Sequence, residues 1–117
     1  LLVDVLPVLQ EYKPESVLIN CSLPEAVTQG LPSLMGHDGK IGAYANGFER
    51  ISEGFMKAKP TVDALTLRLD FTPEAYADHA MKWVAQGATI IGGCCEVSPA
   101  HIAEIARRLS ATGHTIV

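Results

Sequence analysis

The chain has 117 residues, 48% of them hydrophobic and 19% charged, which is the composition of a globular protein able to bury a core and not of a disordered chain. Nine Lys and Arg against thirteen Asp and Glu, with no run of like charges, argue against nucleic acid as a partner, and no apolar run approaches the roughly 20 residues of a membrane span. Three cysteines, an odd number, argue against a disulfide scaffold and for a reducing compartment, so a cytoplasmic protein is expected.

The opening "LLVDVLPVLQ" has no basic leader and no small-residue cleavage site, and is not read as a signal peptide. Leu2, Val5, Leu6 and Leu9 stand at helical spacing and predict an amphipathic helix over 1–12, with Pro7 kinking it or marking its first turn. "SVLIN" is a buried strand that ends at Cys21. "SLPE" then predicts a helix start, with Ser22 as cap, Pro24 in the first turn and Glu25 returning the bond. "KIGAYAN" (40–46) is a second strand. In the Gly-, Lys- and Pro-rich stretch that follows, "ALTLRLD" sets Leu65, Leu67 and Leu69 at period two, as in an extra strand or an extended excursion.

Thr72 and Pro73 open a helix over 72–87, with Tyr76, Ala80, Trp83 and Val84 as its buried stripe and Gly87 at its end. "ATIIGG" is the third strand. Ser98 and Pro99 open the last helix, striped by Ile102, Ile105, Ala106 and Leu109, with Arg107 and Arg108 near its C-terminal dipole. Short, apolar strands alternating with helices predict a parallel α/β fold covered on both faces. No internal repeat or low-complexity linker divides the chain.

Cys21 closes the first strand, and Cys94 and Cys95 close the third. In parallel α/β folds the C-terminal strand ends lie on one face, so three thiols 73 residues apart in sequence can converge. Three thiolates with one open position suit a catalytic zinc, because a closed structural site takes four protein ligands. Two other readings stand beside it: thiols that merely pack, as buried cysteines commonly do, and a vicinal redox pair at Cys94 and Cys95. Gly92 and Gly93 are expected to let the backbone approach a ligand or adopt angles closed to other residues. His37, His79, His101 and His114 show no ligand spacing and read as surface or packing residues.

"LINCSLPEAV", "AYANGFE" and "WVAQGATIIGGCCEVSPAHIAEIARRL", in this order, resemble the C-terminal part of the homocysteine S-methyltransferase family. Its hallmarks are an Asn-Cys at one strand end, a Tyr-x-Asn at the next, and Gly-Gly-Cys-Cys before a proline-led helix. The resemblance implies the C-terminal part of a (β/α)8 TIM barrel, with three parallel strands as the sixth to eighth, and residues 1–117 as one partial homocysteine-binding domain. A whole barrel takes roughly 250 residues. The chain is therefore expected to be a piece of a longer protein, or to cover its apolar edges by self-association or by pairing with the remaining barrel.

The resemblance further implies that Cys21, Cys94 and Cys95 ligate zinc and that homocysteine's thiol takes the open position as a thiolate. An activated methyl donor (relatives use S-methylmethionine, S-adenosylmethionine, betaine or methylated folate) would then give methionine. Asn20 and Asn46, at adjacent strand ends, would contact substrate or act as strand-end caps. Ala45 stands where the family commonly has proline. "EVSP" replaces a basic-Thr-Thr-Pro run and brings Glu96 near the metal face. The rival functions are a non-catalytic zinc-binding or assembly fragment and a vicinal-thiol redox protein.

Overall fold

The computed structural model describes residues 1–48 and 68–117. Leu2–Val5 forms a 3₁₀ turn that leads into helix α1 (Leu6–Tyr12), so the expected single helix is two pieces. Pro7 lies in the first turn of α1, where its missing N–H costs no helical bond, and Lys13 ends the helix in a left-handed conformation. The remaining elements are β1 (Ser16–Asn20), α2 (Pro24–Gly30), a 3₁₀ turn at Leu31–Leu34, β2 (Lys40–Ala45), α3 (Pro73–Ala85), β3 (Ile90–Gly93) and α4 (Pro99–Ala111).

The three strands form one parallel sheet in the order β1-β2-β3. The register sets Leu18, Gly42 and Ile90 abreast, then Asn20, Tyr44 and Gly92. This is the expected parallel α/β architecture, three strands flanked by helices and consistent with part of a barrel, but among the described residues the core covers one face of the sheet and not both as expected. No helix among the described residues is long and apolar enough to cross a membrane.

The core lies between the sheet and its helices. Ile41, Ala43 and Ala45 of β2 meet Val27 of α2, Tyr76, Ala77, Ala80 and Trp83 of α3, and Ile105 of α4. The register puts Leu18, Asn20, Tyr44 and Ile90 on the opposite face of the sheet, outside that core.

Helix α3 is specified at both ends. Thr72 Oγ1 accepts from Ala75 N at 3.1 Å, and Pro73 opens the first turn. At the other end Gly87 N bonds Val84 O and Ala88 N bonds Trp83 O, both at 2.9 Å, with Gly87 at φ 97°. That is a complete Schellman closure, and it needs a residue free to be left-handed.

Three expectations are corrected. Ser22 does not cap α2: proline restricts the residue before it to extended angles, so Leu23 becomes the N-cap (φ −60°, ψ 143°). Ser22 Oγ donates to Asn20 O instead, and Glu25 binds Arg68. Ile105 is buried as expected, but Ile102 is 43% exposed, because its neighbour His101 (6% exposed) takes the inward position at the start of α4. Gly92 and Gly93 have no left-handed angles. A Cβ on Gly92 would lie 2.5 Å from the Tyr44 ring, and one on Gly93 would collide with Val97, so neighbouring side chains already require glycine at both positions. Of the period-two leucines, Leu65 and Leu67 lie outside the described residues, and Leu69 sits in an exposed turn.

Candidate metal centre

Three loops leave the C-terminal ends of the strands, and backbone bonds zip them together. Cys21 N donates to Tyr44 O (2.8 Å), Asn46 N to Ser22 O (3.0 Å), Cys94 N to Ala45 O (2.9 Å) and Gly47 N to Cys95 O (3.0 Å). These bonds carry the parallel ladder one step past the sheet. The cysteine-bearing segments are thereby fixed against one another by main chain alone.

Two residues on this rim have positive φ without being glycine: Cys21 at 51° and Glu96 at 67°. Each costs about 1–2 kcal/mol relative to a right-handed backbone. Cys21 uses it to turn the chain sharply off β1. Glu96 is the third residue of a turn closed by Val97 N to Cys94 O at 3.2 Å, a position that favours glycine or asparagine. Such strain persists where surrounding contacts over-determine it, commonly at functional sites.

The sulfur atoms of Cys21, Cys94 and Cys95 all lie within 4.8 Å of one another. Cys94 Sγ and Cys95 Sγ are 3.8 Å apart, far beyond the roughly 2.05 Å of a disulfide, and all three cysteines are free. Zinc held tetrahedrally by sulfur at about 2.3 Å needs sulfurs about 3.8 Å apart. The donor set therefore fits a three-thiolate zinc site in kind and number, and the Cys94–Cys95 pair fits it in spacing. Cys21 and Cys94 are half-buried and Cys95 is exposed, which leaves one side open to a further ligand.

Asn46 is 1% exposed, and its side-chain amide N donates to Cys21 Sγ at 3.8 Å while its Oδ1 accepts from Phe48 N at 3.2 Å. Burial pushes the Cys21 thiol above its ordinary range and the adjacent Cys94 adds to this, while the Asn46 amide opposes it. Asn20 is exposed at the end of β1, abreast of Tyr44. A family model described as homocysteine S-methyltransferase matches residues 2–109.

The chain belongs to the homocysteine S-methyltransferase family. The match spans every described element of this family member except the last two residues of α4. A methyltransferase-type function follows at the level of the family.

Behind the rim stands a layer that periodicity showed only as packing. Tyr76, fully buried in α3, donates its hydroxyl to Gly92 O at 2.7 Å and lies 3.4 Å from Ala45 O. Burial raises its phenol well above the ordinary range, so it stays a donor. Phe71 and His101 rings pack on it at centroid distances of 5.1 and 5.8 Å. His101 occupies the third position of α4 and accepts from Ser98 N at 3.1 Å through Nδ1, which leaves Nε2–H to face Phe71 O at 3.2 Å. A glutamate or glutamine is the usual partner in that capping box. The available signal for Tyr76 was chemical: a phenol in an alanine-rich buried stripe must find an acceptor.

Proposed function

We propose that this family member carries the zinc centre of a homocysteine S-methyltransferase, with Cys21, Cys94 and Cys95 as the metal ligands. The observation that supports it is the convergence of three thiols, from strand ends 73 residues apart, to within 4.8 Å of one another. Zinc, when bound, would favour the thiolate form of a substrate thiol at neutral pH while leaving it nucleophilic.

The chain's own residues prepare that chemistry. The backbone zipper ties together the loops that carry the three sulfurs and would hold them as a set of metal ligands. The Asn46 amide, directed at Cys21 Sγ, favours the deprotonated sulfur that metal binding requires. Asn20, exposed at the same strand end, would contact the substrate's polar groups. The net reaction moves a methyl group from an activated donor to homocysteine sulfur, giving methionine and the demethylated donor; the thiol proton goes to solvent with a sulfonium or ammonium donor and to the donor nitrogen with a methylated folate. Further strands, from the rest of a barrel or from a partner, would complete the substrate pocket.

The test is methionine formation by zinc-loaded protein from homocysteine and each of S-methylmethionine, S-adenosylmethionine, betaine and methylated folate. Methionine from any one donor, lost in Cys94→Ser, supports the enzyme reading. Zinc binding without turnover on any donor would favour a non-catalytic zinc-binding role.

A further inference from the structure

We propose that Tyr76 is a positioning residue for the thiol cluster: its hydroxyl holds the ends of β2 and β3 in register and so sets the spacing of Cys94 and Cys95 from Cys21. The inference rests on the zinc reading above and adds to it a residue that touches none of the sulfurs.

The hydroxyl has one proton, and the 2.7 Å contact to Gly92 O takes it. Gly92 lies two residues before Cys94. The second carbonyl in reach, Ala45 O at 3.4 Å, is the acceptor for Cys94 N and precedes Asn46, the residue aimed at Cys21. One phenol in α3 thus spans the two strand ends that deliver two thiols and the buried amide. The ring cannot drift, since Trp83 meets it edge-on at 5.6 Å and Phe71 and His101 pack on it too. His101 in turn holds Ser98 N, three residues past Cys95. The cysteine turn is therefore gripped on both sides by one buried aromatic layer. Outer groups that fix metal ligands typically change metal affinity 10–100-fold when removed.

The comparison is between Tyr76→Phe, which keeps the ring and removes only the hydroxyl, and Thr28→Val. The latter deprives Trp83 Nε1, on the same helix as Tyr76, of its 2.9 Å partner on α2. Two quantities are read: zinc affinity by competition with a chelator, and amide exchange at Cys94 and Gly47 in metal-free protein. Tyr76→Phe is expected to weaken zinc binding about tenfold or more and to speed exchange at both amides, with Thr28→Val within twofold of the parent on both. Equal losses in the two variants, unchanged affinity and exchange in Tyr76→Phe, or a Tyr76→Phe protein that does not fold, would overturn the positioning role. A parent protein that binds no zinc would overturn the zinc reading instead, and amide exchange alone would then decide whether Tyr76 sets the loop.

Discussion

The Asn46 side-chain amide, 1% exposed, donates to Cys21 Sγ at 3.8 Å from the neighbouring strand end. The bond links a residue of the Tyr-x-Asn motif to one of the Asn-Cys motif, so two stretches 25 residues apart form one unit. Asn46→Asp keeps an oxygen for Phe48 N and replaces the donor with an anionic acceptor facing the sulfur. Zinc affinity should fall about 10–100-fold, measured by chelator competition. A change below twofold would mean that the amide serves only Phe48.

Metal binding should weaken as pH falls. Each thiol sheds its proton to bind, and Cys21, raised by burial, is largely protonated at neutral pH. Affinity should drop about tenfold per pH unit for each thiol that remains protonated in the metal-free state. The sign reverses for folding of the metal-free protein. A raised thiol pKa gives stability that is present below the unfolded thiol's pKa and is lost as pH rises through the folded one. Zinc titrations and urea midpoints across the neutral to alkaline range would read the two opposite slopes.

Glu96 adopts φ 67° in the cysteine turn and is not one of the three clustered thiol residues. Glycine there removes the left-handed penalty at some cost in chain entropy, so Glu96→Gly should raise stability by about 1 kcal/mol. Zinc stoichiometry should not change. A destabilised Glu96→Gly would show that the glutamate side chain makes a contact that outweighs the strain.

Gly92→Ala tests the opposite case. Its Cβ would lie 2.5 Å from the Tyr44 ring, so the half-buried Tyr44 side chain or the strand itself must shift. Overpacking of this kind costs about 1–3 kcal/mol, and the displaced strand end carries Cys94 with it. Denaturant midpoint and zinc affinity should fall together.

The layout of the fold is legible in the sequence because capping and periodicity act locally. Thr72-Pro73 and Ser98-Pro99 mark their helices, and apolar strands lead into each cysteine. What local pattern cannot show is which of two eligible neighbours turns inward. Ile102 and His101 differ by one position on α4, and the histidine is buried because Phe71, Tyr76 and the Ser98 N–H all meet it there. Ser22 looked like a cap, yet the steric demand of Pro24 moved that role to Leu23. Cys21, Cys94 and Cys95 were recognisable as strand-end thiols on one face. Their mutual spacing depends on a backbone zipper and on a tyrosine from another element, neither of which leaves a motif.

The most direct measurement is zinc per chain in freshly reduced protein, with Cys21→Ser beside it. About one zinc per chain, absent from Cys21→Ser, is the result expected if three thiols from two distant strand ends hold a single ion. Protein that takes up no zinc, or a Cys21→Ser variant that holds as much as the parent, would contradict the three-cysteine centre.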